Sequence, residues 1–163
     1  MSEQRALLCD TAEAVFAEAA VEGMAPIEGA GFGQLLVPEA EGGFGGDWGD
    51  VFAVLRLAGA KVPHLPVGEL IVGGEISRPL GAFIRVAQAA GALDAALAMS
   101  IEYVNTRQQF GKALGKFQAV QQVLAIFAVE AAAVNVAGAA AAAALDKAAG
   151  NVDAAIFEIA CAK

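Results

Sequence analysis

The feature that most limits the possible folds is a pair of long apolar segments joined by a short glycine-bounded loop. In the first segment, Arg78–Thr106, apolar side chains recur at helical spacing, and Pro79 stands at a first-turn position where its missing N–H costs nothing. The second segment, residues 116–149, predicts a helix about 50 Å long. The loop of residues 111–115 is too short for any arrangement except antiparallel packing. The sequence therefore predicts an all-α helical bundle built on two long antiparallel helices.

Shorter helices are predicted elsewhere in the chain. Each begins at a side chain that can accept a hydrogen bond from the first N–H groups, or ends at a glycine. They are a helix capped by Ser2 that runs through Ala20, a helix capped by Asp47 that runs through Ala58 until Gly59 stops it, a short piece over Val67–Val72, and a last helix from Val152 to Lys163, which follows Gly150 and is capped by Asn151. We expect residues 1–76 and 77–163 to be two helical segments of one compact unit.

The glycine-rich sequence between residues 23 and 46 is predicted to be a connector with one short turn of helix. Pro26 and Pro38 break any longer helix there, and the only strand-like period of the chain is a short apolar run at residues 35–37. The glycines of residues 42–49 do not form a dinucleotide-binding loop, because Trp48 stands where that fingerprint needs its third glycine. This stretch is interpreted as a flexible turn.

Charge and composition exclude several classes of function. The formal net charge of −8 leaves no basic stripe to neutralise a nucleic-acid backbone, so we expect no nucleic-acid partner. The single histidine, His64, stands between prolines and is interpreted as a structural loop residue, and no metal site is predicted. Cys9 and Cys161 have neither metal-ligand nor redox spacing, and nothing at the N-terminus reads as a signal peptide. The expected location is the cytoplasm.

Residues 123–145 raise the alternative of a membrane span. They are apolar over a sufficient length, since about 20 apolar residues cross a bilayer. Most of them are alanine, however, Glu130 lies within the segment, and no cluster of cations or aromatic belt marks an interface. A protein outside the membrane is therefore the prediction.

The turn between the two long helices carries the residues of most chemical interest. One helix ends in Arg107 and the next bears Gln118, which places a guanidinium and amides around a single turn. A guanidinium suits a diphosphate, because its planar fork binds two oxygens at once. At the C-terminus of a helix, Arg107 would also be stabilised by about 0.3 to 1 kcal/mol without any ligand. Charge and spacing leave both interpretations open.

Three stretches of the sequence resemble the acyl-CoA dehydrogenase family. Residues 107–118, with Arg-x-Gln-Phe-Gly and a later Phe-Gln, resemble the turn between the first two helices of the family's C-terminal domain. Residues 35–46, with Leu-Leu-Val-Pro-Glu-Ala-Glu-Gly-Gly and a second Gly-Gly pair, resemble a turn of its N-terminal domain. Residues 2–7 resemble its first helix. Because the stretches follow the family's order over nearly the whole chain, the chain is identified as a member.

The resemblance implies a cofactor and its contacts. Family members oxidise acyl-CoA thioesters to enoyl-CoA with FAD, and this turn contacts FAD that is held mainly by the neighbouring subunit. Carried over to this sequence, the contacting residues are Arg107, Gln109, Phe110 and Gln118. The resemblance thus implies FAD, an acyl-CoA substrate, and a partner that is either a second copy in a homodimer or larger oligomer or a full-length family member.

Parts of the family pattern have no counterpart in this sequence. The β-barrel domain that covers the flavin in the family is missing, and so is the later segment with the usual glutamate base. Where some relatives carry the base instead, this chain reads Pro-Leu-Gly-Ala at residues 79–82. No catalytic residue is predicted, and the isolated chain is expected to bind FAD weakly or not at all. The predicted function is an incomplete acyl-CoA dehydrogenase-like protein that is inactive alone, with a non-catalytic helical interaction or partner subunit as the alternative.

Overall fold

The computed structural model describes residues 3–163, and these are mostly helical. The helices are α1 Glu3–Glu22, α2 Ala25–Gly29, α3 Trp48–Lys61, α4 Val67–Val72, α5 Arg78–Thr106, α6 Gln118–Lys147 and α7 Ile156–Ala162. Short 3-10 turns occupy Phe32–Gln34, Glu39–Glu41, Leu114–Lys116 and Asp153–Ala155. Within the described residues the strands are β1 Gln108–Gln109 and β2 Lys112–Ala113, which pair antiparallel. The predicted all-α fold, with α5 and α6 packed antiparallel, is confirmed.

The start of α3 is fixed by a reciprocal pair of aspartates that also anchors α1. The Asp47 side chain accepts a hydrogen bond from the Asp50 N–H at 2.7 Å, and the Asp50 carboxylate accepts one from the Asp47 N–H at 3.2 Å. Arg5 of α1 donates to both carboxylates, at 2.5 Å to Asp50 and 2.6 Å to Asp47. The hydrogen bond to Asp50 is the main reason that the pKa of Arg5 is raised. Asp47 is thus a cap, as predicted, and also part of a bridge between two helices.

Gly59 does not end α3, which corrects the sequence-based prediction. The helix continues to Lys61, and Gly59 is buried against α5, where a Cβ would overlap the backbone carbonyl of Gln88. Gly91 of α5 makes the reciprocal contact, because a Cβ there would overlap the carbonyl oxygen of Arg56. The two glycines therefore allow α3 and α5 to cross at backbone contact. Gly59 is a packing residue rather than a helix stop.

The connector is more ordered than the single helical turn that was predicted. It contains α2 and two 3-10 turns, and residues 35–37 form turns instead of a strand. The glycine-rich stretch folds back onto them: the N–H groups of Phe44, Gly45 and Gly46 donate to backbone carbonyls of residues 34–37 at 2.8 to 3.0 Å. A Cβ at Gly43 would overlap the Val37 carbonyl. The prediction of a turn is confirmed, and these hydrogen bonds hold it in place.

Several helix boundaries differ from the sequence-based prediction; α1 runs to Glu22 rather than to Ala20. Helix α6 begins at Gln118 rather than at residue 116 and ends at Lys147 rather than at residue 149. The last helix begins at Ile156, after a 3-10 turn whose N–H groups donate to the Asn151 side chain. The expected cap Ser2 lies outside the described residues. The division at residue 76 stays a prediction.

The buried side chains form one cluster that excludes the far ends of the two long helices. It draws on α1, α3, α4, α5, α6 and α7. Along α5 the last buried residue is Gly91, and along α6 the first is Ala131. Residues 92–130 therefore form a projecting two-helix arm, which we call the arm, without a fully buried side chain. At its base the Asn135 amide donates to the Asp94 carboxylate at 3.0 Å.

By length and mean hydropathy, both α5 and α6 are able to cross a membrane. A buried core helix meets the same criteria, and the first half of α5 is buried against α3. Helix α6 is mostly exposed, but it presents the Glu130 carboxylate on its outer surface. A carboxylate at the bilayer centre costs about 2.5 to 3.5 kcal/mol on insertion scales. Glu130 would add this cost if α6 crossed a membrane.

Candidate functional site

The four residues predicted to contact a cofactor meet at the tip of the arm. Here α5 ends, β1 and β2 pair with Gln108 opposite Ala113 and Gln109 opposite Lys112, and α6 begins five residues after β2 ends. The two residues that join the strands, Phe110 and Gly111, have φ angles of 53° and 78°. Positive φ at both central positions is the type I′ hairpin turn, whose twist matches that of paired strands. A 29-residue helix is thereby reversed within a few residues.

Backbone and amide hydrogen bonds hold the tip in one shape. The Arg107 N–H donates to the Tyr103 carbonyl at 2.8 Å, and the Arg107 carbonyl accepts from the Leu114 N–H at 2.9 Å. The Gln121 side chain donates to the Gly115 carbonyl at 2.8 Å. A Cβ at Gly115 would stand 3.0 Å from the Asn105 side chain, so only glycine fits there without displacement. The backbone of the tip is therefore preorganised.

The side chains of the tip remain open to solvent. Phe110 is 89% exposed, and its ring meets that of Phe117 edge to face with centroids 6.2 Å apart. The Lys112 ammonium lies 4.1 Å from the centre of the Phe117 ring. Arg107, Gln109 and Gln118 are all exposed. The structure thus brings the predicted residues together on one surface without enclosing them.

The guanidinium of Arg107 has no partner within the part of the chain that the structure describes. It makes no hydrogen bond or ion pair with any of residues 3–163. Arg107 is the C-cap residue of α5, so its charge lies at the C-terminus of the helix as the helix-capping interpretation requires, but the guanidinium does not bond the helix carbonyls. The charge is free to meet an external anion.

Two further cations at the tip were not singled out in the sequence. Lys112 and Lys116 join Arg107 to give three cations and no carboxylate between Tyr103 and Val129, on a chain whose formal net charge is −8. The arm contains 3 of the 18 acidic residues and 3 of the 10 basic residues, so its formal net charge is zero. The rest of the chain carries the entire net charge of −8. The charge distribution can be read from the sequence. Only the structure shows that these cations lie together at the end of a projecting arm.

No candidate for a catalytic base emerges beside these cations. At residues 79–82 the structure places the apolar first turn of α5, in which Leu80 is buried. Glu102, in the last turns of α5, is exposed. Among residues 3–163, no three histidine, cysteine or acidic side chains are grouped so as to hold a metal ion. The site is an exposed basic turn that can contact an anion from one side.

Comparison with known proteins identifies the segment that contains this turn. The sequence model described as "Acyl-CoA dehydrogenase, C-terminal domain" matches residues 80–163, just over half of the chain. The chain is also 38% identical over 85 residues to acyl-CoA dehydrogenase FadE34 of Mycobacterium tuberculosis, a match that covers 52% of this chain and 12% of that protein. It therefore aligns with only a small part of the length of this relative. No solved structure matches the chain significantly.

Proposed function

This chain belongs to the acyl-CoA dehydrogenase family, and on that premise we propose that it acts as a partner subunit which helps a full-length family member hold FAD. On this proposal the chain alone binds FAD weakly or not at all and oxidises no acyl-CoA thioester. One observation carries the proposal: the Arg107 guanidinium is exposed, has no partner among the described residues, and lies within residues 103–129, a stretch of an acidic protein that has three cations and no carboxylate.

The residues of the tip fit one edge of FAD. A diphosphate takes a bidentate guanidinium, and Lys112 and Lys116 add positive charge beside Arg107. The amides of Gln109 and Gln118 can donate to the cofactor's oxygens, and exposed Phe110 offers an aromatic face. When bound, FAD would accept the hydride that leaves the β carbon of the substrate. This chain would contribute charge and orientation across the interface.

The binding free energy of FAD is too large for this turn to supply alone, so a second protein is needed. A hydrogen bond from Arg107 to a charged group is worth about 1.5 to 3 kcal/mol. Nanomolar retention of a dinucleotide requires about 12 kcal/mol. An exposed turn that contacts its ligand from one side cannot supply most of the binding free energy between these two values. We infer that the remaining contacts come from the partner.

The proposed lack of activity follows from the chemistry of the reaction. Oxidation needs a carboxylate placed to remove the proton α to the thioester while the β hydride departs. At residues 79–82 the side chains are apolar or absent, and Glu102 is solvated on the arm. On the proposal, the base and the cover over the flavin ring belong to the partner.

The arm offers the surface for such a partner or for a second copy. It exposes large apolar side chains along both helices, whose exposed fractions range from 44% to 69%. They are Met99, Ile101, Val123, Ile126 and Val129. Val123, Ile126 and Val129 recur every three residues along one face of α6, and an exposed apolar face of this kind marks an interaction site. In the absence of a partner, we expect the chain to form a homodimer or larger oligomer through the arm.

Self-association can be tested by light scattering at micromolar concentration. Val129→Asp should shift the protein towards the monomer, because it places a charge in the buried contact. Val21→Asp is the matched control, since Val21 is 88% exposed on α1, away from the arm. A monodisperse native monomer would argue against association through the arm.

The cofactor proposal is tested by flavin fluorescence titration and turnover assays, with and without a full-length relative. Arg107→Ala should weaken FAD retention by the complex about ten- to a hundredfold, with unchanged helicity by circular dichroism. Arg78→Ala is the control, because Arg78 is an exposed arginine at the other end of α5. Stoichiometric FAD binding and acyl-CoA oxidation by the lone chain would overturn the proposal.

The exposed arm also favours a second candidate, a non-catalytic interaction module. Such a protein would bind its partner through the apolar side chains of the arm and have no use for the basic tip. A complex that forms normally and whose flavin content is indifferent to Arg107→Ala would support this alternative.

A further inference from the structure

A cavity of about 400 Å³ opens between α1 and the connector, and residues of the basic tip do not line it. Its walls are mostly apolar, with Leu7 and Leu8 on the α1 side and Phe32, Leu35 and Phe44 on the connector side. Small-molecule sites are typically clefts of roughly 300 to 1,000 Å³ with an apolar lining and a few polar groups. The cavity thus has the size and lining of a ligand site.

The walls of the cavity are held in place by the core and by the backbone. Phe32 is 3% exposed and stacks on core Phe16 with ring centroids 5.7 Å apart. Phe44 is half exposed, but its N–H donates to the Gln34 carbonyl at 3.0 Å, and its ring lies over Gly31. The φ of Gly31 is 77°, a conformation that a side chain at that position would disfavour. The aromatic wall is therefore preformed.

The lining contains four polar side chains, of which Gln4 and Thr11 are neutral and the other two are acidic. The acidic side chains are Glu39 and Asp50, and no lysine or arginine is among the lining residues. Asp50 is balanced by Arg5, whose side chain binds it at 2.5 Å. Glu39 makes no ion pair or hydrogen bond through its carboxylate with any of residues 3–163. One uncompensated carboxylate thus stands beside an apolar, aromatic-lined space.

We propose that this cavity binds a small amphipathic amine. The apolar body of the ligand lies against Leu7, Phe32 and Phe44, and its ammonium group meets the carboxylate of Glu39. A cation beside aromatic rings gains further attraction from their faces. An anion of the same shape is repelled by Glu39, and a neutral alcohol gains only from burial of its chain. Selectivity by head-group charge is therefore the signature of this site.

The probes are n-octylammonium, 1-octanol and octanoate, which share a chain length and differ in head-group charge. Titration calorimetry at low ionic strength should show one octylammonium per chain. Its affinity should exceed that of octanoate by about tenfold, as a single charge pair near a protein surface allows. Equal affinities for the three probes, or several octylammonium molecules per chain, would overturn the proposal.

Two variants and a control locate the binding. Leu7→Asn should lower octylammonium affinity severalfold, whereas Val21→Asn, at an exposed apolar position of the same helix, should leave it unchanged. Glu39→Gln should abolish the preference for octylammonium over octanol while octanol still binds, which separates loss of charge from loss of fold. Affinity that is indifferent to Leu7→Asn places the probe elsewhere and refutes the site.

Discussion

Gly91→Ala should destabilise the protein, although alanine is the better helix former. A Cβ at Gly91 would overlap the carbonyl oxygen of Arg56 and stand 3.1 Å from the Ala60 N. Both atoms are backbone, so no side-chain rotation can relieve the contact, and α3 and α5 must move apart. Overpacking a close contact costs about 1 to 3 kcal/mol, and the helix propensity of alanine returns about 1 kcal/mol. We expect a net loss of about 2 kcal/mol, taking the upper end of the overpacking cost because the opposing atoms are backbone.

Urea denaturation followed by circular dichroism measures this change through the midpoint at constant m value. The matched control is Gly81→Ala in the same helix, where the new Cβ would meet only the Ile76 side chain, at an ordinary 3.6 Å. That variant should be as stable as the native protein or up to about 1 kcal/mol more stable. If Gly91→Ala were as stable as Gly81→Ala, the backbone contact between α3 and α5 would be refuted.

Two further predictions concern titration and charge. Burial raises the pKa of the Cys9 thiol, so Cys9 should react with dithionitrobenzoate more slowly than exposed Cys161 at pH 8. Equal reaction rates for the two thiols would contradict this prediction. Because the pKa of Cys9 is higher in the folded chain, its contribution to the free energy of unfolding is complete below the ordinary thiol pKa of 9.0 and is lost as pH rises further. Arg5→Ala should lower stability in urea by about 1 kcal/mol, discounted for its partial exposure, because Asp47 and Asp50 lose their ion pairs with α1, whereas Arg78→Ala should change little. A null effect of Arg5→Ala would mean that the bridge from α1 to α3 contributes no net stability.

The helices with strong local signals were predictable from the sequence. The bounds of α4 and α5 match the predictions, because Pro79 defines the start of α5 and a regular apolar face runs along it. Asp47 was found as a cap for the same reason, since capping depends on residues three positions apart. Local chemistry thus determines where most of these helices begin and end.

Features that depend on distant partners were not predictable in the same way. Gly59 looks like a helix stop in the sequence, and only the approach of the Gln88 backbone reveals its packing role. The four candidate site residues were named through a family resemblance. Their shared surface and the company of Lys112 and Lys116 depend on the hairpin at the tip. Residues 103–129 contain no carboxylate, but the sequence does not show that they lie on a projecting arm. That arrangement depends on which side chains the core buries, and no local pattern predicts it.

The arm also determines where the native protein opens first. Its hydrogen bonds are internal to two helices that share few contacts with the core, so their breaking does not require the core to separate. Backbone amides in the outer arm should therefore exchange with deuterated solvent through local fraying, with a free energy well below that of global unfolding. Amides near Phe83 and Leu145, which are buried in the core, should exchange only when the whole chain unfolds. Occupation of the arm by another subunit would then be recorded as slower exchange there, without any change in the core.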